Sequence, residues 1–83
     1  MLMKHIILAQ NISISNSGLK DIIKNLDILE NSNQKHRLNI KELKNKTNSY
    51  LKDLEKTDIT ISDVDEILDF ISIQHKAIFD IFS

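Results

Sequence analysis

Five acidic side chains close together in the sequence form the densest group that could do chemistry: Asp58, Asp63, Asp65, Glu66 and Asp69. Such a density of carboxylates could bind a divalent cation, but the stretch lacks the glycine and the ligand spacing of an EF-hand loop. No histidine follows a glutamate by three residues, as a di-iron helical bundle requires. Negative charge stabilises the first turn of a helix, so we interpret the cluster as helix-starting charge and predict no metal site.

Histidine and lysine offer two further kinds of chemistry. His36 and His75 fall on the heptad spacing described below but in different layers, so they cannot share a metal ion, and we interpret them as polar residues that fix helix register. A basic stretch could contact a phosphate backbone. Because the chain as a whole carries a net charge of −1, we favour a solvated helix face paired with an acidic helix. The basic residues of this stretch are Lys35, Arg37, Lys41, Lys44 and Lys46.

Residues for covalent or nucleotide chemistry are missing from the sequence. There is no cysteine, no serine framed by glycines and, with a single glycine, no glycine-rich phosphate loop. The sequence therefore predicts a protein that is not an enzyme, has no catalytic residues and binds no cofactor.

Composition favours a single helical domain over residues 1–83. No proline and one glycine leave little of the turn chemistry that a β-rich fold needs. The apolar run at residues 6–9 is too short for a signal peptide or a membrane span, so we expect a cytoplasmic protein that does not contact membranes. A core this small is only marginally stable, which makes self-association a plausible source of stability.

The helix predicted most securely covers residues 62–82. Ser62 is a good N-cap, and Asp65 follows it at capping-box spacing. At 100° per residue the helix is apolar on two sides, and both sides must be buried. The first strip consists of Val64, Ile67, Leu68, Ile71, Ile78, Phe79 and Phe82. The second strip consists of Phe70, Ile73, Ala77 and Ile81.

Two further helices are predicted upstream, over residues 17–30 and 33–56, separated by Asn31, Ser32 and Asn33, whose side chains compete with the helical backbone. The two could also form one long helix. Residues 1–16 are poorly defined: a short helix followed by an extended link is favoured, because residues 12–15 alternate like a strand.

A 3,4 spacing of apolar residues runs from Leu19 to Phe82 and indicates coiled-coil packing. Its polar exceptions are Asn33, His36, Thr47, Thr57 and His75. Folding the chain at residues 57–61 sets Leu54 against Val64 and brings a basic segment against an acidic one. We also expect Lys56, Lys52 and Arg37 to lie near Asp63, Glu66 and Asp80, respectively. The predicted fold is all-α: an antiparallel coiled-coil-like hairpin plus an N-terminal helix, arranged as a three-helix bundle or as an elongated hairpin.

In the three-helix arrangement, the first helix is expected to cover the second strip. In the elongated one, that strip stays open to a partner. We therefore predict a partner-binding face of Phe70, Ile73, Ala77, Ile81 and Phe82. The size and character resemble those of small bacterial or phage-encoded chaperones, antitoxins and inhibitors, a likeness of class only. The predicted function is a self-associating module that binds and regulates or inhibits a larger protein. A nucleic-acid-binding regulator that uses the basic helix 35–56 is the alternative.

Overall fold

The chain folds into three α-helices. A computed structural model describes the backbone of residues 2–32 and 39–82 and the side chains of residues 6–32 and 39–81. Helix α1 spans Leu2–Glu30, α2 spans Ile40–Asp53 and α3 spans Ile61–Phe82. The described part of the chain contains no strand. The all-α, three-helix prediction is confirmed.

The polar residues after α1 end it as the sequence predicted. The side-chain amide of Asn31 donates to the Asp27 carbonyl at 3.1 Å, and the hydroxyl of Ser32 donates to the Leu29 carbonyl at 2.9 Å. These bonds satisfy carbonyls that a continuing helix would have used. Residues 17–56 are therefore not one long helix. The predicted start of the second helix, at residue 33, lies outside the described residues.

The N-terminal segment differs from its prediction. Residues 1–16 were expected to hold a short helix and an extended link, whereas α1 is continuous from Leu2. The alternation at residues 12–15 suggested a strand, but Leu8, Ile12 and Ser15 extend the 3,4 spacing that begins at Leu19 toward the N-terminus. All three are buried or half-buried, so packing of this face outweighs the local β preference.

Side-chain caps define the starts of α2 and α3. The carboxamide of Asn39 accepts the Glu42 N–H at 3.3 Å and donates to the Glu42 carboxylate at 2.8 Å. Thr60 and Asp63 form a reciprocal arrangement in which both donors are backbone groups: the Asp63 N–H donates to the Thr60 hydroxyl at 3.1 Å, and the Thr60 N–H donates to the Asp63 carboxylate at 3.0 Å. This is a capping box. It lies two residues before the predicted one at Ser62, so α3 begins at residue 61.

Helix α1 packs against both other helices. Gly18 of α1 lies beside Ile71 of α3. Further along both helices, Asn25 of α1 and Ile78 of α3 line the same groove, so α1 and α3 run parallel. Helix α2 runs antiparallel to both. The bundle is elongated, measuring 49 × 22 × 16 Å.

The α2–α3 register is close to the predicted hairpin. The rings of Tyr50 and Phe70 are 4.9 Å apart, centre to centre, and a hairpin that sets Leu54 against Val64 sets Tyr50 against Leu68, within a turn of Phe70. The expected role of α1 needs correction, however. Its Gly18 packs on Ile71 of the first strip, and it is Tyr50 of α2 that packs on Phe70 of the second strip.

The core follows the predicted 3,4 spacing. Besides Ser15, three apolar side chains of α1 are wholly buried, and these three pack with apolar residues of α2 and α3. Thr47, a polar exception, is also fully buried and donates its hydroxyl to the Leu43 carbonyl at 2.6 Å. Thr57 and His75 are exposed. The wholly buried α1 residues are Leu19, Ile22 and Leu26.

Candidate protein-binding surface

The residues predicted to bind a partner do not form one face. Phe70 and Ile81 are only 7% and 8% exposed and belong to the core cluster. Ala77 is half-buried, while Ile73 is 63% exposed. The side chain of Phe82 lies outside the described residues. The second strip is therefore core at Phe70, on which Tyr50 of α2 packs, and at Ile81.

The acidic cluster is used by the fold. Asp63 caps α3, and Asp58 and Glu66 line the same cleft at the α2–α3 connection. Lys56 lies in this cleft and pairs with Asp53 at 3.0 Å rather than with Asp63. The hydrogen bond that Lys56 donates to Asp53, together with the charge of Asp53, raises the pKa of Lys56 above its ordinary value, with smaller contributions from the charges of Asp58 and Asp63. Among the described residues, no group of three or more possible ligands could hold a metal ion.

The basic residues of α2 are partly occupied within the bundle. Lys44 pairs with Asp27 and, at 3.1 Å, with Glu30, both on α1, and these hydrogen bonds raise its pKa. The ammonium nitrogen of Lys46 lies 5.4 Å from the centre of the Phe70 ring, within cation–π distance. In this position Lys46 also covers the ring from solvent. Lys35, Arg37 and His36 lie outside the described residues. Lys41 is exposed. Contacts within the bundle therefore interrupt the basic face of helix α2.

Two exposed apolar regions remain on the bundle. The first is an open groove between the C-terminal halves of α1 and α3, which we call the α1–α3 groove. Its α1 side is polar, and its α3 side carries Ile78 in the floor and Phe79 at the rim. Phe79 is 69% exposed, the largest exposed fraction among the bulky apolar side chains of the described residues. The groove is lined by Asp21, Lys24, Asn25, His75, Ile78 and Phe79.

Sequence reasoning placed Phe79 on the first strip, with the core residues Ile71 and Ile78. It is exposed because successive residues of a helix diverge by 100°, so the neighbour of a buried Ile78 points away from it. The sequence signal for this exposure was the width of the first strip. Phe79 lies at the edge of that strip, where a single neighbouring helix cannot cover it. Ile28, 49% exposed, lies one turn beyond Lys24 on α1.

The second region, the N-terminal seam, lies on α1 away from the core. Ile7 and Ile14 are one heptad apart on this outer face and are 45% and 59% exposed, and Ile6 beside them is 56% exposed. The sequence assigned no role to these residues, although Ile7, Gln10, Ile14 and Ser17 already show a second 3,4 spacing on α1.

Neither region belongs to a helix that could span a membrane, and neither has a known relative to compare with. In the described residues, every helix is too short or too polar to cross a bilayer. Comparison with protein-family models, with curated proteins and with solved structures finds no significant match.

Proposed function

We propose that this chain is a small non-enzymatic module that associates with itself and binds and regulates a larger protein, with the α1–α3 groove as the binding site. The observation that carries the proposal is Phe79, held 69% exposed on a well-packed helix above the apolar floor of Ile78. Aromatic side chains at the centre of an apolar patch supply much of the energy of protein interfaces.

The surroundings of Phe79 suit a helical partner segment. A groove between two parallel helices accepts the apolar face of an amphipathic helix, whose anchors recur at three- and four-residue spacing. Asp21, Lys24 and His75 at the groove edges offer polar contacts that fix orientation. The absence of cysteine accords with a role in a reducing compartment, so we also propose a cytoplasmic location.

Other functions receive less support. The ion pairs of Lys44 and Lys56 reduce the positive field available for nucleic acid, and no observation favours that alternative. Asp63 is used as a helix cap, which weighs against an enzyme that uses the acidic cluster.

The test compares two substitutions on the same helix. Phe79→Asp removes the proposed anchor, whereas Ile73→Asp changes a similarly exposed residue, 63%, that lies on another face of α3. Both variants should keep the circular dichroism spectrum and melting temperature of the parent. Protein captured from an extract of the native host should be lost with Phe79→Asp and retained with Ile73→Asp. Equal capture by both variants, or equal loss, would contradict the assignment of the groove.

A further inference from the structure

We infer that the N-terminal seam binds a second copy of this chain, with the two α1 helices antiparallel. The inference deepens the self-association in the proposed function and uses a surface distinct from the α1–α3 groove. It rests on the packing of α1, on the area that the chain exposes and on the pattern of residues along the seam.

The start of α1 extends beyond the start of α3. Because Gly18 is level with Ile71 and the helices are parallel, Ile61 at the start of α3 is level with about Leu8. Residues 2–7 therefore project beyond α3 by roughly 9 Å, at 1.5 Å per residue. A short isolated helix is marginal in water. A projecting helix that carries exposed isoleucines is expected to gain stability from further packing.

The chain exposes more surface than a compact monomer of its size. A compact monomer of 9.6 kDa exposes about 5,100 Å². This chain exposes 5985 Å², and its radius of gyration is 14.0 Å, where about 12 Å is typical of 83 residues. The excess of roughly 900 Å² is close to the ~800 Å² that each partner contributes to a stable interface.

The seam is complementary to itself. An antiparallel two-fold axis between Gln10 and Asn11 sets Ile7 of each copy against Ile14 of the other. Gln10 then lies beside the axis, where its carboxamide can pair with that of the second copy and fix the register, as a polar residue does in a coiled coil. From Ile6 to Leu19 the sequence has no charged residue, so neither copy repels the other across this stretch.

The same pattern argues against a parallel pair. In register, a parallel pair would continue along the seam and place Asp21 on Asp21 and Lys24 on Lys24. Like charges that face one another across a helix pair are unfavourable. The antiparallel arrangement ends the contact before these residues and directs the two bundles away from a shared centre.

The first test is the oligomeric state of the purified chain alone, by sedimentation equilibrium over a range of concentrations. We expect a reversible dimer of twice 9.6 kDa. Ile14→Glu should raise the dimer Kd at least about tenfold, while Phe79→Asp, which removes partner capture in the proposed function, should leave it unchanged. A monomer up to millimolar concentration, or a dimer insensitive to Ile14→Glu, would overturn the inference. Partner capture does not enter this readout, so a monomer would remove the self-association but leave the assignment of the α1–α3 groove untouched, and lost capture would leave the seam untouched.

The second test determines orientation and uses the absence of cysteine from the chain. In an antiparallel pair, Gln10→Cys lies near the axis and should form a disulfide-linked dimer on mild oxidation. Ser17→Cys would be separated from its counterpart by about 20 Å along the helix axis, at 1.5 Å per residue, beyond disulfide reach. Efficient cross-linking through Ser17→Cys would show a parallel pair and refute the arrangement.

Discussion

Replacing Ser15 by alanine should stabilise the protein. Ser15 is fully buried on the core face of α1, and its hydroxyl has no hydrogen-bond partner among the described residues. Thr47 in α2 is equally buried, but its hydroxyl donates to the Leu43 carbonyl. The same functional group is thus unsatisfied in one helix and satisfied in another, so the two positions form a matched pair.

The expected gain can be worked from two contributions. Burying a hydroxyl without a partner costs about 1–3 kcal/mol in mutational data. Alanine also exceeds serine in helix propensity by about 0.5 kcal/mol. Part of this gain is lost with the packing contacts of the oxygen, so Ser15→Ala should add about 1–2 kcal/mol to the free energy of unfolding. In a domain of this size, that raises the melting temperature by at least about 4 °C.

Urea unfolding followed by circular dichroism measures the change, with Thr47→Val as the control. This control loses a formed hydrogen bond and should be less stable by about 1 kcal/mol. Measurements at two protein concentrations would separate self-association from the stability of the bundle. A Ser15→Ala variant that is neutral or less stable would refute the reasoning, because it would show that the hydroxyl has a partner, for which the Asn11 carbonyl one turn earlier is the natural candidate.

Two further substitutions test the packing around α3. A Cβ on Gly18 would lie 3.0 Å from Cγ2 of Ile71, so Gly18→Ala should destabilise the bundle by about 1 kcal/mol through crowding, despite better helix propensity. In an Ile71→Ala background the same change should become stabilising in urea unfolding, and an unchanged sign would contradict the close approach. Phe70→Ala should cost about 3–5 kcal/mol because the ring packs on Tyr50. Ile73→Ala should change the melting temperature little, and equal losses for the two would show that Phe70 is not core.

The helical fold could be predicted because its signals are periodic or local. Leu19, Ile22 and Leu26 follow a 3,4 spacing that only a buried helix face explains, and all three are fully buried. The sequence also indicated a possible end of α1 at Asn31 and Ser32. Their side chains donate hydrogen bonds to the backbone carbonyls of preceding residues, whatever the rest of the chain does. Such features depend on neighbours within one turn.

The exposed apolar surfaces could not be predicted because they depend on which helix packs where. Phe70 and Phe79 are both apolar residues of α3, but Tyr50 packs on one and leaves the other in solvent. Periodicity alone cannot say which of two apolar strips a neighbouring helix will cover. The N-terminal segment shows the same limit: the alternation at residues 12–15 is a weak β signal, which α1 overrides once Ile12 and Ser15 pack inward.

The two faces of α1 provide a direct test of this distinction. Ile14 and Ile22 are the same residue type on one helix, each in a 3,4 spacing, but Ile14 is 59% exposed and Ile22 is fully buried. Ile22→Glu would bury a carboxylate without a partner, which costs several kcal/mol and should unfold the bundle. Ile14→Glu should change the stability of the dilute protein by no more than about 0.5 kcal/mol. Urea unfolding at low concentration compares them, and similar losses at both positions would mean that the outer face of α1 is part of the core.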